Sequence, residues 1–366
     1  MPTTEALHEA DRLMTICNAC RYCEGLCAVF PAMEMRRTFG AGDLHYLANL
    51  CHQCGACLPD CQYSPPHQFD VNVPRAMAKL RSETYAVYAW PRALAGAFAR
   101  NALAVTLIAA VSLAAFIIGF VLLQNPAVLF SAHAGAFYAV MPHNAMVAVF
   151  GAAAIYVVVA FVFSLRAFWR SISADAPPAG LAAMAQAARD AGELKYLGGG
   201  GGGCMSENER PSSVRRRFHH LTFYGFLFCF AATCVATFYH YVLGWEAPYA
   251  PYDAPVVLGI VGGLGLLAGP AGLFVLTRRR EAALTDPRQS GMNTAFLAML
   301  FLTSLSGLLL LVLRDTSEMG ILLSVHLGFV LGLFLSLPHG KFVHGLYRYL
   351  ALVKYAAERR RAAFVE

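Results

Sequence analysis

The stretch C-N-A-C-R-Y-C-E-G-L-C, Cys17 to Cys27, decides how this chain is organised, because its spacing recurs as C-H-Q-C-G-A-C-L-P-D-C, Cys51 to Cys61. In a C-x2-C-x2-C-x3-C run, three thiolates hold one [4Fe–4S] cluster and the fourth usually holds the other. Zinc sites instead take four ligands in two pairs, whereas these eight cysteines form two identical quartets. We therefore predict two [4Fe–4S] clusters, one held by Cys17, Cys20, Cys23 and Cys61 and the other by Cys51, Cys54, Cys57 and Cys27.

The cysteine-rich segment is expected to face a reducing compartment. The segment M-P-T-T-E-A-L-H-E-A-D-R-L-M has no apolar core of a secretory signal, so we predict that the N-terminus stays in the cytoplasm. Eight of the eleven cysteines lie in the first 61 residues, a density that favours metal binding over disulfides in such a compartment. The remaining thiols, Cys204, Cys229 and Cys234, are interpreted as small apolar side chains.

The rest of the chain has the composition of a membrane protein. Apolar residues make up 58% of the 366 residues, mean hydropathy is +0.52, and only 14% of residues are charged. A helix needs ~20 apolar residues to cross ~30 Å of hydrocarbon. Six runs approach that length and are predicted to span the bilayer: 101–123, 144–165, 219–243, 255–276, 292–313 and 320–337.

The basic residues predict the orientation of these spans. Loops 124–143 and 244–254 contain no Lys or Arg, whereas arginines crowd the loops on the other side, as in Arg215–Arg217 and Arg278–Arg280. By the positive-inside rule, both termini and the cysteine domain are cytoplasmic in a multi-pass protein of the bacterial inner membrane. The net charge of +6 is thereby explained as a topology signal, and nucleic-acid binding is not expected.

The predicted fold is all-α, with a ferredoxin-like two-cluster domain followed by a six-helix bundle like that of a b-type cytochrome. The predicted segments are the cluster domain 1–90, membrane helices 91–170, a cytoplasmic linker 171–218, membrane helices 219–355 and a cytoplasmic tail 356–366. Within the linker, residues 198–204 read G-G-G-G-G-G-C. No strand precedes this run and no Lys-Ser/Thr follows it, so a flexible linker is favoured over a phosphate-binding loop.

Histidines at the ends of the third and sixth spans indicate haem. Coordinating groups in a span are costly and usually functional. His220 and His240 are ~30 Å apart along a helix, and His326 and His344 are ~27 Å apart, at 1.5 Å per residue. Because the two helices run in opposite directions, His220 levels with His344 and His240 with His326, which fits one or two bis-histidine b haems.

Other histidine ligands remain open. The pairing above requires the sixth helix to continue past Pro338; if that helix ends there, His339 becomes the inner candidate. His219 is an alternate to His220, and both adjoin Arg217, so they could instead be surface groups among lipid headgroups.

Taken in order, these motifs resemble the tricarballylate/citrate utilization protein B family. The resemblance rests on the two cysteine motifs, the six spans, G-G-G-G-G-G-C, R-R-R-F-H-H-L-T-F-Y-G-F, C-V-A-T-F-Y-H-Y and L-P-H-G-K-F-V-H-G-L-Y-R. It implies an electron carrier that receives electrons from the reduced FAD of a partner flavoprotein, which oxidises tricarballylate. It also implies a role beyond a linker for the glycine run. The membrane part is similar to the di-haem gamma subunit of respiratory nitrate reductase.

The sequence therefore predicts an electron-transfer subunit that reoxidises an FAD-dependent tricarballylate dehydrogenase-like flavoprotein on the cytoplasmic face and delivers electrons to quinone. No nucleophile–base pair, carboxylate dyad or FAD-binding fingerprint stands out, so we do not expect it to oxidise an organic acid alone. An alternative is a membrane redox sensor or assembly factor without sustained electron flux. A transporter is disfavoured, because the spans carry almost no buried charge and no clear broken-helix repeat.

Overall fold

The computed structural model describes residues 4–123, 126–174, 176–205 and 211–363, and this part of the chain is almost entirely helical. Its α-helices are α1 Glu5–Cys20, α2 Val29–Glu34, α3 Ala41–Leu50, α4 Val73–Val87, α5 Asn101–Leu123, α6 Phe137–Val140, α7 His143–Ile172, α8 Leu181–Gly192, α9 Val214–Phe238, α10 Ala254–Arg278, α11 Pro287–Val312, α12 Met319–Ser336 and α13 Val343–Ala363. Two short strands, β1 Cys204–Met205 and β2 Pro211–Ser212, pair antiparallel.

The two cysteine motifs have the same spacing but different backbone conformations. Helix α1 begins after Thr4, whose Oγ1 accepts a hydrogen bond from the Leu7 amide at 3.2 Å, and it ends at Cys20, where Arg21 adopts a left-handed conformation. The first two cysteines therefore lie on a helical turn. Helix α3 instead ends before Cys51, and the second motif is a loop with left-handed backbone at Gln53 and Gly55.

The six predicted spans are confirmed as six helices long and apolar enough to cross a membrane, within α5, α7, α9, α10, α11 and α12. The chain is thus a multi-pass membrane protein. Helices α9 and α10 approach closely through glycines: a Cβ on Gly225 would lie 2.9 Å from the carbonyl oxygen of Gly262. Small residues at such crossings let helix backbones pack by direct contact in lipid.

The α-helix of the sixth span does not continue through Pro338. Helix α12 ends at Ser336, a 3-10 turn covers Leu337–His339, and a separate helix, α13, begins at Val343. Proline has no amide hydrogen and its ring clashes with the preceding turn, which ends a helix. The condition for placing His344 on the same helix as His326 is therefore not met.

Helix α13 packs on the N-terminal domain, and the predicted tail 356–366 contains its last turns. Tyr347 of α13 stacks on Tyr85 of α4 at 5.9 Å and packs on Phe168 of α7 at 4.8 Å. All three rings belong to one buried core that includes residues of α1 to α4. We call the end of the bundle that carries this domain the domain side.

Candidate iron–sulfur and haem site

The second cysteine quartet lines one cavity. Cys27, Cys51, Cys54 and Cys57 all line it, although Cys27 belongs to the first motif in sequence. Burial, followed by the charges of Cys27, Cys54 and Cys51, raises the pKa of Cys57 well above its ordinary value. Four such thiols cannot ionise together without positive charge among them, which the iron of a cluster supplies.

The thiols of Cys17, Cys20, Cys23 and Cys61 lie near one another. Burial, followed by Cys23, Cys61 and Cys20, raises the pKa of Cys17 to about 12. All four thiols are partly exposed, whereas Cys51 and Cys54 of the second quartet are buried. Cys61 of the second motif thus lies near the first three cysteines of the first motif. Cys27 of the first motif likewise lies near the first three cysteines of the second motif.

These groups do not form a site for a single ion. In the part of the chain that the structure describes, no three His, Cys, Asp or Glu side chains converge closely enough to bind one metal ion together. A cubane cluster spreads its four thiolate ligands over four iron atoms, so its ligands lie farther apart than those of one zinc ion. The grouping of the thiols in two quartets fits the larger group.

The glycine run packs on both cysteine motifs. A Cβ on Gly199, whose φ is +50°, would lie 2.6 Å from the Cβ of Ala56, and one on Gly200 would lie 3.0 Å from the carbonyl oxygen of Gly25. The Met205 amide donates to the Cys54 carbonyl at 2.8 Å. The run is therefore a close-fitting cover of the second quartet, which only glycine permits at Gly199.

Gln53, between Cys51 and Cys54, accepts hydrogen bonds from three arginines. Arg215 donates to its carbonyl oxygen at 2.7 Å, Arg280 donates to the same oxygen, and Arg81 donates to its side-chain oxygen at 3.0 Å. The carbonyl of Cys51 accepts from Arg81 at 2.5 Å and from Arg348 at 2.9 Å. These arginines come from α9, the loop after α10, α4 and α13.

Lys341 completes this set of cations, which we call the arginine–lysine group: Arg81, Arg215, Arg280, Lys341 and Arg348. Among the described residues, no ion pair joins any of the five to a carboxylate. Burial, followed by its arginine neighbours, lowers the pKa of Lys341 well below its ordinary value. Burial, followed by Arg215, lowers the pKa of Arg280 to about 9.

Arg36 shows the contrast with a paired cation. It binds Glu358 and, at 2.6 Å, Asp43, and Lys354 lies 3.6 Å from each of those carboxylates. Burial lowers the pKa of Arg36, but the two carboxylates reverse the effect and raise it. The arginine–lysine group has no carboxylate partner among the described residues, so these cations would stabilise an anion bound beside them. An iron–sulfur cluster on four thiolates is such an anion, because the negative charge of the thiolates exceeds the positive charge of the cluster core.

On the domain side, His344 faces His219, while His220 packs on Tyr224. The imidazole centroids of His219 and His344 are 6.2 Å apart at an interplanar angle of 72°, and the His220 ring is 5.8 Å from Tyr224. The two rings are near enough to each other to be candidate ligands of one metal centre. Nδ1 of His344 lies 2.6 Å from the Lys341 carbonyl oxygen and donates to it, which leaves Nε2 free to bind metal.

The other predicted histidine pair does not meet. His240 stacks on His143 with centroids 4.1 Å apart. His326 instead lies against α11, its Nδ1 3.1 Å from Ser306 Oγ, and no ring contact joins it to His240 within the described residues. His339, the alternate inner ligand, directs Nε2 at the Tyr156 hydroxyl at 2.9 Å. These contacts do not fit a second bis-histidine haem on His240 and His326.

Sequence reasoning missed the arginine–lysine group and the His143–His240 contact. Arg215 and Arg280 lie in the R-R-R runs that were taken only as topology signals. Arg81 lies in no motif, and Lys341 and Arg348 lie in L-P-H-G-K-F-V-H-G-L-Y-R, which supports only the family resemblance. His143 was assigned to an outer loop, but it begins α7.

The fold and site define the class: an integral-membrane protein with a ferredoxin-like iron–sulfur domain. The chain belongs to the Citrate utilization protein B family, whose model matches residues 96–364, while the Citrate utilization protein B Fer4-like domain matches residues 10–87. It is 50% identical to "Citrate utilization protein B" of Escherichia coli over 359 residues, 98% of this chain and 94% of that protein. No solved structure matches it.

Proposed function

We propose that this protein is the membrane subunit that reoxidises the reduced FAD of a tricarballylate (or related tricarboxylate) dehydrogenase and delivers the electrons to the quinone pool. Its two [4Fe–4S] clusters and b-type haem accept electrons one at a time, which divides the two-electron output of a flavin. The domain side faces the cytoplasm of a bacterial cell, in accord with its arginine-rich loops.

One observation supports this proposal most strongly. The cavity lined by Cys27, Cys51, Cys54 and Cys57 adjoins the arginine–lysine group, and that group continues to the histidine pair. Arg348 reaches the Cys51 carbonyl from the same helix, α13, that presents His344 to His219. Cofactor sites in the soluble domain and in the membrane bundle are thus held by one set of packed side chains.

Each part of the chain has a role in this proposal. Cys17, Cys20, Cys23 and Cys61 hold the more exposed cluster, which suits electron entry from the flavoprotein. Gly199 and its neighbours exclude water from the second quartet. His219 and His344 hold the haem, and Lys341 fixes His344 through its backbone carbonyl. With no FAD-binding fingerprint in the sequence, the organic acid is oxidised by the partner.

Purified protein in detergent tests the proposal. Iron and haem are quantified, a dithionite-reduced spectrum is recorded, and reduced flavoprotein plus a soluble quinone is then added. We expect iron–sulfur and b-haem signals and quinone reduction that is abolished in Cys51→Ala. A haem-free spectrum, or full turnover by Cys51→Ala, contradicts the proposal. Intact clusters with no quinone reduction favour the alternative of a redox sensor or assembly factor.

A further inference from the structure

The arginine–lysine group lies against only one of the two cysteine quartets. Four of its members donate to backbone or side-chain oxygens of the loop that carries Cys51 and Cys54. The fifth, Lys341, has its Nζ 6.0 Å from the Tyr85 ring centroid, between α12 and α13. The four arginines thus converge from four segments on the loop of the second quartet.

The surroundings of the first quartet are different. Asp60, which precedes Cys61 in the chain, and Arg21, the cation inside the first motif, are both exposed, and Arg21 bonds the Asn18 carbonyl. Exposed charges are screened by water and salt, whereas buried charges act at much lower effective dielectric. The two quartets have the same ligands but different electrostatic environments: arginines without carboxylate partners at the second, and exposed, screened charges at the first.

The difference between the two environments predicts which quartet has the higher reduction potential. Reducing a cluster adds one negative charge, so burial alone disfavours the reduced form and lowers the reduction potential. Nearby cations stabilise the reduced form and raise it. At the second quartet four arginines act on a buried site, and no carboxylate pairs with them among the described residues, whereas the charges beside the first quartet are exposed to solvent.

We propose that the arginine–lysine group makes the second cysteine quartet the higher-potential of the two iron–sulfur sites, so that an electron entering at the first quartet passes to the second, beside the membrane helices. The oxidised second site gains the electron that the reduced first site loses, with no other reactant. This inference rests on the proposed function, because it requires both quartets to hold clusters.

Potentiometric titration of the purified full-length protein, followed by electron paramagnetic resonance, tests the order of the sites. Cys20→Ser alters the signal of the first quartet and so assigns the two signals. In the unsubstituted protein, the second-quartet signal is expected to develop at the higher potential. The reverse order overturns the inference, and this test needs no variant in the arginine–lysine group.

Arg280→Met tests the cause, because it removes a charge beside the loop of Cys51 and Cys54 but keeps a long side chain. We expect the ratio of reduced to oxidised second site at a fixed potential to fall about tenfold, equivalent to ~59 mV for one electron, with the first site unchanged. Arg280→Lys retains the charge and should move the second signal far less than Arg280→Met. Lys79→Met removes a charge from an exposed position of α4 and should move neither signal.

The possible failures are distinguishable. If the unsubstituted protein shows no pair of iron–sulfur signals, the proposed function itself fails. If both signals are present but Arg280→Met shifts neither, or shifts both equally, only the role of the arginine–lysine group is overturned.

Discussion

The imidazoles of His219 and His344 lie 6.2 Å apart, centroid to centroid, although one residue is on α9 and the other on α13, helices at different places in the chain. The neighbouring His220 packs on Tyr224 instead. A difference of one residue turns a helical side chain by ~100°, so only one of the two adjacent histidines can face α13. The structure therefore separates two candidates that the sequence leaves equivalent.

Replacing His219 is expected to remove the haem. His219→Ala leaves His344 without a facing imidazole, so the reduced-minus-oxidised spectrum should lose its b-type signal and the haem content should fall. His220→Ala is the matched control, since it changes the adjacent histidine, and it should retain haem. Loss of haem in the His220 variant alone would contradict the assignment.

Cysteine substitutions should separate ligands from packing thiols. Cys57→Ser is expected to lower iron and acid-labile sulfide per chain by roughly half, because one of two clusters is lost. Cys204→Ser provides the comparison: this buried thiol donates to the Leu197 carbonyl at 2.8 Å, a bond that serine retains. Iron loss in the Cys204 variant equal to that in the Cys57 variant would refute the ligand assignment.

The glycine cover can be tested at adjacent positions. Gly199→Ala places a methyl group 2.6 Å from Ala56 Cβ at a φ of +50°, so it should destabilise the covered loop by about 1–3 kcal/mol. The expected result is faster bleaching of iron–sulfur absorbance in air. A Cβ on Gly198 meets nothing within 4 Å, so Gly198→Ala should bleach at the unsubstituted rate. Equal rates for all three proteins would show that the run is not a cover.

His45 predicts acid sensitivity of the N-terminal domain. Burial lowers its pKa to about 4 from 6.5, and its Nδ1 lies 2.9 Å from Thr84 Oγ1. Because Thr84 donates to the Leu80 carbonyl, its oxygen accepts from His45. As the pH falls, the His45 ring is therefore protonated in the unfolded chain before it is protonated in the folded chain. The stabilising contribution of neutral His45 is present above pH 6.5 and is lost as the pH falls toward 4. We expect the free energy of unfolding to be about 2 kcal/mol lower at pH 5 than at pH 7.

The melting temperature at pH 7 and pH 5 measures this effect. His45→Phe should shrink the difference between the two, since it removes the buried titrating ring. The same substitution at the exposed His8 should leave the difference as in the unsubstituted protein. An unchanged difference in the His45 variant would assign the acid sensitivity to other groups.

Local patterns in the sequence predicted the elements whose cause is local. The six spans follow from apolar length, and the grouping of Cys61 with Cys17 follows from motif spacing. The contacts of Gln53 were not predictable, because its arginine partners come from segments that meet only in the folded chain. Pro338 indicates where α12 ends. The helix that follows, α13, was not predicted as one element, because the predicted boundary between the membrane helices and the tail falls within it.

The core shared by Tyr85, Phe168 and Tyr347 has a consequence for biogenesis. The segment that carries the cysteines leaves the ribosome first, yet the aromatic ring that closes its core belongs to α13, near the other end of the chain. That core cannot close until translation is nearly complete and all six membrane helices have been made. The N-terminal segment therefore does not form a complete core by itself. If it were expressed alone or fused to another protein, the apolar surface that α13 covers would be exposed to water.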